Sequence, residues 1–188
     1  MQQWVIDRGV LAQARWCASP NCNARPQSVT VDTLVVHGIT LPPGHFGGGH
    51  VDALFCNRLQ ADAHPWFAQV AALRVSAHVL IARTGALTQY VNFDERAWHA
   101  GRSCLDGRDA VNDFAVGVEL EGTDDCPYAP AQYRQLARLA VALMRYYPAL
   151  TRERIVGHSD IAPGRKTDPG PAFDWHWFDR ALSAASRQ

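Results

Sequence analysis

The chain has 188 residues, 47% of them hydrophobic, enough for one compact domain that buries roughly two-thirds of its unfolded surface. Its 18 Lys and Arg balance 18 Asp and Glu, so it carries no basic field to gather nucleic acid or anionic lipid. No stretch reaches the ~18 apolar residues of a membrane span, and the opening Met-Gln-Gln-Trp-Val-Ile-Asp-Arg lacks the basic n-region and apolar run of a signal peptide.

Thr33-Leu-Val-Val-His37, bounded by Gly38, reads as a buried strand ending at a histidine. Residues 41–50 carry too many breakers for a regular element and read as a loop. Val51, Leu54, Phe55 and Leu59 recur at helical spacing. Residues 75–83 and 87–92 are β-prone runs around Thr84-Gly-Ala86, a hairpin signal. Residues 115–120 are a further strand.

Pro130 suits a first helical position, and Leu136, Leu139, Ala140, Leu143 and Tyr147 form one apolar face before Pro148 stops the run. This is expected to be the longest helix. Ile155-Val156 reads as a short strand breaking at Gly157-His158, followed by a loop over 159–171. Asp174 is placed to cap a last helix carrying Trp175, Phe178 and Leu182 on one side. The pattern predicts an α/β or α+β fold, a central sheet with helices packed on it, in a single domain spanning 1–188.

Cys17, Cys22, Cys56, Cys104 and Cys126 are odd in number and contain no Cys-x-x-Cys pair, so reduced thiols are expected and not a disulfide framework or thiolate zinc site. With no export signal, the expected location is the cytoplasm, and monomer is the default state.

Eight histidines offer many ligand sets, and residue pattern does not choose among them. His37 and His158 are the better placed, each where a hydrophobic strand gives way to a glycine turn. Asp168 follows His158 by ten residues, across a loop stiffened by Pro163 and Pro169. Two imidazoles and one carboxylate leave tetrahedral zinc an open fourth position, the arrangement of a hydrolase. A rival set is His50-Val-Asp52 with His99 or His158, which imitates the facial triad of non-haem iron oxygenases. The long helix fits poorly with the β-barrels that usually carry that triad.

Val36-His37, Leu41-Pro-Pro-Gly-His-Phe-Gly-Gly48, Arg74-Val-Ser-Ala-His78, Arg96-Ala-Trp-His-Ala-Gly101, Gly117-Val-Glu-Leu-Glu-Gly-Thr-Asp124, Gly157-His158, Ile161-Ala-Pro163 and Arg165-Lys-Thr-Asp-Pro-Gly170 occur in that order. Together they resemble the AmpD family, the 1,6-anhydro-N-acetylmuramoyl-L-alanine amidases, over about Trp4 to Phe178. The resemblance implies a central mixed β-sheet flanked by helices, related to peptidoglycan-recognition proteins and T7-type lysozyme. It implies zinc held by His37, His158 and Asp168, with Glu119 as general base and Lys166 as oxyanion stabiliser. Arg74 and Arg108 are implied as clamps for substrate carboxylates and Trp98 as an apolar wall. The implied substrate is a small anhydro-muropeptide cut at its lactyl–L-alanine amide during cell-wall recycling, a step tied to β-lactamase repression where that enzyme is inducible.

Glu119 and Glu121 share a face of the predicted strand, so periodicity does not separate them. Two departures stand out: Gly38 where many relatives have asparagine, and Gly164 where glutamate is usual. A non-catalytic peptidoglycan-binding module of the same fold is the nearest alternative, and the complete ligand set with Glu119 and Lys166 counts against it.

Overall fold

In the computed structural model, which describes residues 3–187, six strands form one mixed sheet. Strands β1 (Arg15–Trp16), β2 (Thr33–Ile39), β3 (Val79–Ile81), β4 (Leu87–Gln89), β5 (Ala115–Glu121) and β6 (Ile155–Gly157) lie in the order β6-β2-β5-β3-β4-β1. Neighbours are parallel except β3 and β4, the antiparallel arms of the expected hairpin. Its turn is closed by the Ala82 N–H donating to Ala86 O at 2.9 Å, and Gly85 adopts a φ of 87° that glycine tolerates. Met1, Gln2 and Gln188, assigned by sequence to the same domain, lie outside the described residues.

The helices are α1 (His50–Phe55), α2 (Phe67–Val70), α3 (Pro130–Tyr146), α4 (His158–Ile161) and α5 (Trp175–Ser186). Leu34 and Val36 on β2 and Val116, Val118 and Leu120 on β5 join Leu136, Leu139, Leu143, Phe178 and Leu182 of α3 and α5 in the main core. Side chains alternate along a strand, so His37, Gly117, Glu119 and Glu121 face the other side of the sheet. The polar residues of the site therefore sit on the face that α3 and α5 leave uncovered.

Local chemistry explains the helix starts. Gln132 Oε1 accepts from the Ala129 N–H at 2.9 Å, while its Nε2 donates to Ile81 O and Glu121 O, both at 3.0 Å, so the first turn of α3 is tied to β3 and β5. Asp174 caps α5 by accepting from Trp177 N at 2.8 Å, as its position predicts.

Four expectations need adjustment. The strand expected to stop at His37 continues to Ile39, because β5 keeps pairing with it. Helix α1 ends at Phe55, and Leu59 packs on the same apolar cluster from beyond the helix. The predicted loop at 159–171 begins instead as the single turn α4, since Asp160 Oδ2 accepts from the Gly157 N–H at 2.7 Å and favours helix there. Trp175 is 37% exposed, so the buried face of α5 is Phe178 and Leu182 without it. Short ribbons such as Cys22–Ala24 with Glu95–Ala97 escape prediction because two or three residues carry no readable period. Among the described residues no helix is long and apolar enough to cross a membrane.

Candidate active site and metal centre

Strand register assembles the site. β5 pairs with β2 so that Glu119 lies beside His37, and β6 pairs Gly157 with Val36, which delivers His158 next to His37. The Ser159 N–H donates to Asp168 O at 2.9 Å and draws the following loop back onto the start of α4. The Nδ1 atoms of His37 and His158 are 2.9 Å apart, and Asp168 Oδ2 lies 3.3 and 3.0 Å from them. Ligands at zinc distances of 2.0–2.1 Å in a tetrahedron are separated by about 3.3 Å, so this triangle fits one zinc ion. His37 and His158 are 1% and 3% exposed, and Asp168 is half-buried.

The electrostatics suit a cation. Burial lowers the His37 pKa to about 4, leaving the neutral imidazole that a metal requires. Burial by itself raises the Asp168 carboxyl, but hydrogen bonds to His158 and His37 override it and hold the group well below the usual carboxylate range. His158 Nε2 faces Ala100 O at 3.2 Å, which directs its N–H to that carbonyl and leaves Nδ1 toward the cluster.

The two glutamates separate by their partners. Glu121 accepts from the N–H groups of Gly47 and, at 3.1 Å, Arg83, so it pins the glycine-rich loop and the β3–β4 turn. Glu119 is 8% exposed with Oε2 unpartnered, and burial followed by the charge of Asp168 pushes its carboxyl well above the usual range, against the pull of Lys166. Replacing Glu121 by alanine strands two backbone donors and is expected to cost about 1–3 kcal/mol of stability in urea unfolding, with zinc content unchanged.

Sequence pattern offered His99 only as a possible member of the rival iron triad, yet in the structure it packs against His37 and steadies the candidate ligand cluster. Its Nδ1 is 2.9 Å from His37 Nε2, and the N–H groups of His99 and Ala100 both donate to Asn112 Oδ1, at 3.1 and 2.8 Å. A Cβ on Gly117 would collide with the His99 ring, so the glycine of β5 creates the room for this contact. His99 thereby orients His37 with Nδ1 toward the cluster. His99→Ala is expected to weaken zinc binding about 10–100-fold in competition with a chelating dye, whereas an unchanged affinity rules out this support.

Residues 27–171 match the family model described as N-acetylmuramoyl-L-alanine amidase. The chain belongs to this family. It is 55% identical over 180 residues to the 1,6-anhydro-N-acetylmuramyl-L-alanine amidase AmpD of Salmonella typhimurium strain SL1344, covering 96% of this chain and 95% of that one. It is 54% identical over 174 residues to AmpD of Escherichia coli strain K12, covering 93% and 94% of the two chains. The crystal structure of a selenomethionine derivative of AmpD superposes with a TM-score of 0.92 at 53% identity, over 95% of this chain and 99% of that one. A complex of the Escherichia coli amidase AmiD with anhydro-N-acetylmuramic acid-L-Ala-D-γ-Glu-L-Lys superposes with a TM-score of 0.59 at 28% identity, over 95% of this chain and 65% of that one. The chain is thus an N-acetylmuramoyl-L-alanine amidase with the mixed-sheet fold of these enzymes.

The other residues named by resemblance fall in different places in this amidase. Lys166 is exposed on the loop after α4, close enough for its charge to act on both Glu119 and His37. Trp98 precedes His99, half-buried, with Nε1 donating to Asn23 Oδ1 at 2.7 Å. Arg74 is exposed and donates to the carbonyls of its neighbours Ala72 and Leu73. Arg108 pairs with Asp32 at 2.6 Å and lies 3.7 Å above the Phe114 ring, placing it beside the residue before β2, at the strand end opposite His37. Neither arginine is in hydrogen-bonding contact with His37, His158 or Asp168. A groove of about 590 Å³ lies between Gly101–Ala110 and Ile161–Arg165, with Arg102 and Arg165 on its walls and none of His37, His158, Asp168 or Glu119 in its lining. Arg165 donates to Ala100 O, the carbonyl that also faces His158, at 2.6 Å.

The two departures have structural counterparts. The space a side chain at Gly38 would enter is filled by the Tyr128 hydroxyl, which donates to Pro169 O at 2.9 Å. Gly164 takes a φ of 73° with open space around it, a conformation that glutamate rarely adopts.

Proposed function

We propose that this amidase is a zinc hydrolase that cuts the amide between the lactyl group of 1,6-anhydro-N-acetylmuramic acid and the L-alanine of the stem peptide. Its substrates are cytoplasmic muropeptides released by cell-wall turnover, and its action belongs to their recycling. The observation that carries this reading is the triangle of His37, His158 and Asp168 with the unpartnered Glu119 carboxyl beside it. Near full-length identity of 55% to an AmpD supports the choice of anhydro-muropeptide.

His37, His158 and Asp168 hold the ion, and zinc, when bound, supplies positive charge that acidifies water and polarises a carbonyl. Glu119 takes the proton from the water that attacks the lactyl carbonyl and returns it to the departing alanine nitrogen as the C–N bond breaks. Lys166 sets its positive charge against the oxyanion formed on the carbonyl oxygen. His99 and the Ala100 carbonyl keep both imidazoles from rotating. Trp98, half-buried next to His99, provides an apolar wall for the substrate.

Incubation with 1,6-anhydro-N-acetylmuramoyl tripeptide, with products read by mass spectrometry, tests this directly. Free anhydro-sugar and a peptide beginning with alanine are expected. Intact substrate with measurable binding would instead favour a recognition module.

A further inference from the structure

The five cysteines are free thiols, but two of them are neighbours. Cys17 follows β1 and its N–H donates to Gln89 O at 2.9 Å, which fixes it at the sheet edge. Cys56 is the C-cap of α1, thirty-nine residues along the chain, and its Sγ lies 3.5 Å from that of Cys17. Both are half-buried. The other sulfurs face oxygens: Cys22 sits near Ser19 O and Glu95, and Cys126 near Pro127 O. Cys104 is exposed.

We propose that Cys17 and Cys56 form a reversible disulfide that staples α1 to the edge of the central sheet under oxidising conditions. A disulfide needs its sulfurs at about 2.05 Å, so from 3.5 Å they must close by roughly 1.5 Å. The Arg15 guanidinium lies beside the Cys17 sulfur as well as Asp52, giving the Cys17 thiolate a positive neighbour. Burial and then the Cys17 sulfur push the Cys56 thiol up, against the pull of Arg58, and Cys17, beside Arg15, is assigned as the attacking thiol with Cys56 resolving.

With glutathione disulfide as oxidant, the Cys17 thiolate attacks one sulfur and expels one glutathione thiolate. Cys56, losing its proton, then attacks the Cys17 sulfur of the mixed disulfide and expels the second. Two protein thiols are oxidised, one disulfide is reduced to two glutathione thiols, and the two protons end on those thiols. The consequence is mechanical. Polar contacts already hold α1 at two places: Asp52 accepts from Tyr90 Oη and Arg15, both at 2.5 Å, and the Phe55 carbonyl accepts from Ser19 Oγ at 2.5 Å and Asn21 Nδ2 at 3.2 Å. A covalent bond closing so long a loop would add a covalent tie to these polar contacts, at the C-terminal end of the helix that follows the glycine-rich segment 41–49.

The test treats the full chain with glutathione disulfide and maps peptides without reduction. A Cys17–Cys56 linked peptide is expected, reversed by dithiothreitol, together with a rise in Tm of about 5–10 °C. Cys56→Ser should trap a glutathione adduct on Cys17, and neither Cys56→Ser nor Cys17→Ser should show the rise in Tm. Separate glutathione adducts without a link, linkage through Cys22, Cys104 or Cys126, or an unchanged Tm in the linked protein would each overturn the proposal.

Discussion

Alanine at His37, His158 or Asp168 is expected to abolish turnover and to reduce zinc from about one ion per chain to a trace after dialysis. Each substitution leaves two protein ligands where tetrahedral zinc in a hydrolase needs three and an open position. The three ligand atoms all lie within 4.8 Å of one another, so no one of them is peripheral. Loss of Asp168 has a second effect: it removes the negative charge that stands 3.3 and 3.0 Å from the Nδ1 atoms of the two imidazoles. Elemental analysis alongside the tripeptide assay separates loss of metal from misfolding, provided circular dichroism is unchanged. Full activity of any of these variants in metal-free buffer would remove the metal assignment altogether.

Glu119→Gln should behave differently, with zinc retained, KM little changed and kcat lower by about 10²–10⁴. The reason is positional, since Glu119 stands beside His37 in the strand register but its Oε2 atom is bonded to nothing. Its pH dependence follows from the sign of the shift. Burial favours the protonated carboxyl and raises its pKa, so the basic form accumulates as pH rises and kcat rises with it. That acidic limb should lie above the ordinary carboxylate range and disappear in Glu119→Gln. A variant that loses zinc and keeps its kcat per bound ion would make Glu119 a structural residue instead.

Much of this protein was determined by sequence alone. The apolar face Leu136, Leu139, Ala140 and Leu143, the Pro130 start and the Asp174 cap specify their helices through local rules that need no knowledge of the rest of the chain. The runs at β2 and β5 announce strands for the same reason, while their parallel pairing is seen only in the structure. Motif order also placed the chain among the amidases. What local rules do not contain is contact between residues far apart in sequence. His37, Glu119 and His158 meet only because β6, β2 and β5 pair in one register. The choice between Glu119 and Glu121 rests on whether Gly47 and Arg83 reach one of them, which no periodicity encodes. His99 could not be distinguished from seven other histidines until Gly117 and Asn112 were seen to seat it against His37. Arg108 illustrates the converse, since an exposed cation is placed by its partners, and Asp32 and Phe114 hold it at the far end of β2. Helices and strands are written in neighbouring residues, whereas the polar site is a property of strand register and side-chain pairing that only tertiary structure decides.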